Sequence, residues 1–118
     1  MNRSDALQHT IVIETKPVPK GRPRLGRRGR VFTPIRTLEA EAEIRDAWDG
    51  PMFAGPVELR VVFSSNRIEV TVTAMPEEAP VSKLRGDLDN YIKTLMDGLN
   101  GAAWLDDKQV HGVWALKE

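Results

Sequence analysis

Val57-Glu58-Leu59-Arg60-Val61-Val62-Phe63-Ser64-Ser65-Asn66-Arg67-Ile68-Glu69-Val70-Thr71-Val72-Thr73 decides the architecture. Val57, Leu59, Val61 and Phe63 alternate with Glu58, Arg60 and Val62, and Ile68, Val70 and Val72 alternate with Glu69, Thr71 and Thr73. A period of two sends alternate side chains to opposite sheet faces, so each run predicts a half-buried strand. Ser64-Ser65-Asn66-Arg67 has the composition of a turn, and the two strands join as a hairpin.

Downstream the period changes. Leu88, Ile92, Leu95 and Leu99 fall within a narrow arc at 100° per residue, which predicts an amphipathic helix. Asp87 suits its N-cap, and Asn100-Gly101 suits a left-handed stop. Val110, Gly112, Trp114 and Leu116 then alternate with His111, Val113, Ala115 and Lys117, predicting a final strand. Met75 to Arg85, with Pro76, Glu77-Glu78 and Pro80, reads as a surface loop.

Upstream, Ile11-Val12-Ile13-Glu14 reads as a short buried strand. Thr33-Pro34 resembles an N-cap followed by proline at the first helical position, and Leu38, Ala40, Ile44, Ala47 and Trp48 supply the apolar arc of a helix ending near Gly50-Pro51. The sum is a small α+β domain with α/β-type layering: a mixed sheet of about four strands carrying two main helices. No repeat or low-complexity tract interrupts it, and residues 1–118 are expected to form one domain.

The 118 residues include no cysteine and only His9 and His111. Disulfides, thiolate metal sites and histidine-rich zinc sites are thereby excluded, and oxygen ligands are what remain for a metal. His9 and His111 read as a tail residue and a strand residue without catalytic roles. No apolar run suits a signal peptide or membrane span, so the expected compartment is the cytoplasm.

Net charge is zero, yet residues 1–36 hold nine Lys or Arg against two acids, an excess of +7 balanced by −7 over the rest. The segment Lys16-Pro17-Val18-Pro19-Lys20-Gly21-Arg22-Pro23-Arg24 alternates stiff prolines with cations, and Arg27, Arg28 and Arg30 extend the series. It reads as a loop within a basic arm, residues 16–36, able to lie along a phosphate backbone. A basic arm on an acidic body suggests a polyanionic partner for the first and a cation for the second.

Five aspartates gather in an acidic region spanning residues 83–110: Asp87, Asp89, Asp97, Asp106 and Asp107. Asp89, Lys93 and Asp97 follow at i, i+4 and i+8 along one helix edge. Each alone is explained by helix capping or a surface ion pair. The recurrence of Asp106-Asp107 where the chain turns back is not, and a return that brings one of them beside the helix start would complete a three-carboxylate site. Crowded carboxylates favour a hard divalent cation such as Mg²⁺. An EF-hand is excluded, because Ile92 stands where its glycine is needed and Gly98 where its bidentate glutamate belongs. No phosphate-loop pattern or Ser, His and Asp set for nucleophilic catalysis is present, so metal-assisted hydrolysis is the surviving chemistry.

Asp87-Leu88-Asp89-Asn90, Lys93, Asp97, Leu99-Asn100-Gly101 and Asp106-Asp107-Lys108-Gln109-Val110 together resemble the signature of the RusA family of Holliday junction resolvases. Pro19-Lys20-Gly21-Arg22-Pro23-Arg24 and Val31-Phe32-Thr33-Pro34 resemble the family's N-terminal part, and the length agrees. The resemblance implies a RusA-like fold, a homodimer, and a metal-dependent endodeoxyribonuclease that cuts branched DNA at four-way junctions in recombination and repair, in a bacterial or phage-infected cell. It implies that Asp87, Asp89 and Asp107 are the metal carboxylates, with Mg²⁺ as cofactor and Mn²⁺ as a substitute, and that Lys93 completes the catalytic set. Asp106, Asp97 and Asn90 are expected in supporting positions. Asp97 sits about 12 Å along the helix from Asp89, too far to share its ion.

Lys16, Lys20, Arg22, Arg24, Arg27, Arg28 and Arg30 in the arm, with Lys83 and Arg85 beside the acidic motif, are the expected DNA-phosphate contacts. Trp48, Phe53 and Trp104 are candidates for either core or dimer interface. Two rival readings are a nuclease for flaps or other branched DNA, and a non-catalytic DNA-binding accessory protein.

Overall fold

The computed structural model describes residues 8–76 and 82–118, and the chain divides into two compact units, Met1–Glu77 and Glu78–Glu118. Of the loop predicted from Met75 to Arg85, residues 77–81, with Glu77, Glu78 and Pro80, lie outside the described residues.

In the first unit, β1 (Gln8–Ile13), β2 (Arg24–Leu25), β3 (Val31–Phe32), α1 (Ile35–Ala47), β4 (Val57–Ser64) and β5 (Arg67–Ala74) follow in order. The hairpin forms where the alternation places it, with Ser64 opposite Arg67 and Val57 opposite Ala74. β1 pairs with the other edge of β5, giving a three-stranded sheet of order β1-β5-β4. Every named strand pairing is antiparallel, so the fold is α+β but its sheet is not mixed.

The register explains the core. Ile13 faces Ile68, and Ile11 faces Val70, which in turn faces Val61. Ile11, Ile13 and Ile68 are buried, with Val61, Val70, Ala47 and Trp48 packed against them. Trp48 thus joins the core, and Phe53 tilts against it with ring centroids 6.5 Å apart. On the edge strand the same apolar row continues outward, leaving Leu59 and Phe63 exposed. The opposite face is polar: Thr10 and Thr71 are cross-strand partners whose hydroxyls meet at 2.9 Å.

α1 begins one residue later than predicted, with Pro34 as its cap. The proline cannot donate an N–H, and its carbonyl accepts from Thr37 and Leu38. The buried residue of α1 is Thr37, whereas Leu38 and Ile44 of its expected apolar arc remain exposed. Thr37 is kept inside because its hydroxyl accepts the Gly21 N–H at 2.9 Å. Thr37→Val retains the shape and strands that donor, so a loss of about 1–2 kcal/mol is expected, read as a lower urea midpoint at unchanged m-value.

The C-terminal end of α1 is fastened to β1 through His9. Its Nε2 lies 2.6 Å from Asp49 Oδ1, and its ring stands edge-on to Trp48 at 5.0 Å. The hydrogen bond from His9 holds the Asp49 carboxyl below its ordinary range, against a smaller opposing effect of desolvation. A depressed carboxyl contributes stability above its unfolded value of about 3.9 and loses it as pH falls through the lower folded value. Asp49→Asn is therefore expected to lower the urea midpoint slightly at neutral pH and to match the parent in strong acid.

The basic segment is not wholly loop. Arg24 pairs with Phe32 and Leu25 with Val31, making a two-stranded ribbon closed by a 3-10 turn at Arg27–Gly29. Arg28 (φ 63°) and Gly29 (φ 74°) both take left-handed backbone at its tip, which reverses the chain too tightly for the extended loop predicted from composition.

The second unit contains α2 (Leu88–Leu99) and a 3-10 turn at Asp107–Gln109. α2 starts after Asp87 and stops at Asn100, with Gly101 at φ 83°, as the capping pattern predicts. The predicted strand at 110–116 does not form. Its alternation is real, but residues 110–118 have no ladder partner among the described residues, and Val113 and Trp114 stay exposed. The segment is held by other contacts: Ser82 Oγ donates to the Glu118 carbonyl at 2.7 Å, and Lys117 Nζ to the Gly86 carbonyl at 3.2 Å. No helix among the described residues is long and apolar enough to cross a membrane.

Candidate active site

The acidic motif lies wholly within the second unit. Asp87 occupies the N-cap of α2 with extended backbone, φ −74° and ψ 144°, yet its side chain caps no helix N–H. Its carbonyl accepts from Asn90 and Tyr91 at 3.1 and 3.3 Å, which turns the chain into the helix without using the carboxylate. Asp89 follows in the first turn and is exposed. The helix N-terminus favours negative charge, so both carboxylates are tolerated at the entrance of α2.

Just before them, the Gly86 N–H donates to the Tyr91 hydroxyl at 3.0 Å, and the Gly86 carbonyl accepts from Lys117. Both groups of Gly86 are thereby fixed by side chains from elsewhere in the unit, which sets the approach of the chain to Asp87. Sequence reasoning gave neither Tyr91 nor Lys117 a role here.

Lys93, one turn after Asp89, has its Nζ 3.8 Å from Asp97 Oδ2. Both side chains are exposed, and a pair of this kind contributes a few tenths of a kcal/mol. The contact steadies Lys93 without committing it. Asp97 is thus a partner of the lysine, and Asn90 lies in the first turn of α2, its carbonyl accepting from the Thr94 hydroxyl.

The two adjacent aspartates have different employment. Asp106 caps the turn at Asp107–Gln109: its Oδ1 accepts the Lys108 N–H at 2.9 Å, while Gln109 Oε1 accepts the N–H groups of Leu105 and Asp106 at 2.6 and 3.0 Å. This is a capping box, and its Asp106-x-x-Gln109 spacing was open to reading from the sequence. Asp107 takes no part in it. Half-buried, it accepts the Trp104 indole N–H on Oδ1 at 2.7 Å, which aims the carboxylate and leaves Oδ2 for another ligand. Trp104 was expected only as core or interface; it is the residue that orients Asp107. The signal was local, an indole three residues before an acid in a tight turn.

Among the described residues, no three His, Asp or Glu side chains gather into a metal cluster. Asp87, Asp89 and Asp107 therefore share one unit but are not a preformed trio. Their donors are the hard oxygens that Mg²⁺ prefers, and this ion commonly binds through one or two carboxylates with waters and substrate phosphates completing the shell. The residues fit such a metal in donor type.

The basic residues divide between places. Lys16, Arg22 and Arg24 line a groove with Arg36, whereas Lys20 lies 3.4 Å from Glu41 of α1. Arg27, Arg28 and Arg30 surround a second hollow beside Phe32 at the ribbon tip. Lys83 and Arg85 are exposed on the approach to Asp87.

No curated protein and no solved structure matches the chain. The model of the family described as Endodeoxyribonuclease RusA matches residues 14–118, a span containing the basic segment, the hairpin and the whole acidic motif. The chain belongs to the RusA endodeoxyribonuclease family.

Proposed function

We propose that this protein is a divalent-metal-dependent endonuclease that resolves four-way DNA junctions by paired phosphodiester hydrolysis, acting as a homodimer. The observation that carries the reading is the separation of duties in the acidic motif. Asp106 is consumed in capping, while Asp107 is oriented by Trp104, and Asp87 and Asp89 at the helix entrance have no side-chain partner among the described residues. A merely structural acidic cluster has no need of this arrangement.

In this mechanism Asp87, Asp89 and Asp107 would supply oxygen ligands for Mg²⁺, or Mn²⁺ in its place, which when bound would polarise the phosphate and lower the pKa of the attacking water. Lys93 releases its weak contact with Asp97 and sets its ammonium against the charge that develops on the phosphate oxygens. Trp104 keeps Asp107 from rotating away, and Lys83 and Arg85 hold the flanking backbone. A four-way junction has approximate two-fold symmetry, which two copies of one site match by cutting opposed strands.

The test is a labelled panel of four-way junction, flap and linear duplex, incubated with Mg²⁺, with Mn²⁺ and with EDTA. Metal-dependent nicks confined to the junction are expected. Cutting of flaps alone assigns the protein to other branched DNA, and binding without cutting under either metal makes it an accessory protein.

A further inference from the structure

The basic segment of the first unit builds a concavity with features that charge alone does not explain. A groove of about 610 Å³ is lined by Lys16, Arg22, Arg24 and Arg36 together with Pro34 and Thr37. Its floor is fixed, because the Gly21 N–H donates to the buried Thr37 hydroxyl and ties the segment to the first turn of α1. The approach is close: a Cβ at Gly21 would stand 2.9 Å from Pro34 Cγ and 3.1 Å from Thr37 Oγ1. Glycine is what allows the segment to seat here. Pro17, Pro19 and Pro34 restrict the backbone of the wall further, and Lys16, Arg22 and Arg24, with Arg36 from α1, present exposed cationic side chains around one hollow.

We propose that this groove seats consecutive phosphates of a DNA strand, forming a backbone-holding site on a different stretch of the chain from the acidic motif. The proposal rests on the DNA-directed reading above and adds to it a definite place, with Arg36 and Gly21 as its positioning elements. The groove is far larger than one phosphate needs, and it presents cations without acidic side chains or aromatic rings among its lining residues. It is therefore suited to hold backbone without reading bases. Free polyphosphates share this chemistry, and the test separates the two sources.

The experiment compares two arginines of α1. Arg36 lines the groove, whereas Arg45 lies in the last turn of the same helix and is absent from the lining. Arg36→Gln and Arg45→Gln remove the same charge. Binding of a labelled junction is measured by anisotropy in EDTA between about 50 and 200 mM salt. Arg36→Gln is expected to bind several-fold more weakly and to reduce the slope of log affinity against log salt by about 1, while Arg45→Gln follows the parent.

Gly21→Ala, which changes no charge, should weaken binding similarly while retaining the parent's circular dichroism spectrum. Equal effects of the two arginine variants would overturn the proposal, since binding would then follow total charge. So would pyrophosphate binding that depends on Arg36 with no change in the DNA salt slope, or a parent that binds no DNA. A parent that shows the Arg36-dependent slope but cuts no substrate upholds the groove and removes the nuclease reading alone.

Discussion

Asp89→Asn is expected to reduce cleavage of a four-way junction by more than about 100-fold while leaving junction affinity in EDTA within a few-fold of the parent. The reason lies in what the substitution changes. Asparagine preserves the size of the side chain and its place in the first turn of α2, where Asp89 is exposed and buries nothing. Folding is therefore spared. What is lost is an anionic oxygen that the proposed mechanism assigns to the metal, and since losing a group that merely supports a metal ligand costs about 10–100-fold, loss of a ligand should cost more. Neutralising a carboxylate also removes a charge that repels DNA, so binding should not fall. Equal loss of binding and cleavage would mean that the acidic motif acts structurally. The measurement is single-turnover cleavage beside anisotropy binding on one protein preparation.

Trp104→Phe tests the orientation of Asp107. Phenylalanine keeps an aromatic ring but lacks the indole N–H that meets Asp107 Oδ1 at 2.7 Å. Without that donor the half-buried carboxylate gains rotational freedom and a desolvated oxygen without its partner. A fall of roughly 10–100-fold in cleavage is expected, the cost associated with removing a group that positions a metal ligand. Raising Mg²⁺ or Mn²⁺ should recover part of it, which a purely structural role would not produce. Asp106→Ala should behave differently: the turn loses its cap, about 1 kcal/mol of stability goes, and excess metal restores nothing. Opposite metal responses of the two variants would separate the adjacent aspartates in solution as the geometry does.

What the sequence made legible follows from where local pattern and tertiary demand agree. The hairpin was readable because Val57, Leu59, Val61 and Phe63 alternate and their partners on β5 do likewise, so each strand supplies the other's ladder. α2 was readable because the positions of Asp87 and Asn100-Gly101 at its two ends agree with the spacing of Leu88, Ile92, Leu95 and Leu99, although the Asp87 side chain caps no N–H. The segment from Val110 to Leu116 has a comparable alternation and forms no strand, because alternation specifies a face and not a neighbour to pair with. The ribbon of Arg24–Leu25 with Val31–Phe32 errs the other way: two residues a side carry no periodicity, and its turn depends on Arg28 in a conformation that arginine seldom announces.

The acidic motif was visible as composition and spacing, and the different contacts of its members were not. That Asp106 caps while Asp107 is aimed depends on a turn at residues 107–109 that brings the Trp104 indole against one carboxylate and the Lys108 N–H against the other. Thr37 illustrates the same limit. A threonine on a helix flanked by Leu38 reads as the polar neighbour, yet it is the residue buried, because Gly21 supplies the hydrogen bond that makes burial affordable.

A supercoiled plasmid bearing an extruded cruciform tests the central claim most directly, because a single nick releases the supercoiling and the junction is reabsorbed. Linear product therefore requires two cuts within one binding event. Mg²⁺-dependent linear product, absent with Asp89→Asn and with EDTA, is the result expected of paired cutting by two copies of this site. Nicked circle alone, or product formed equally well in EDTA, would contradict it.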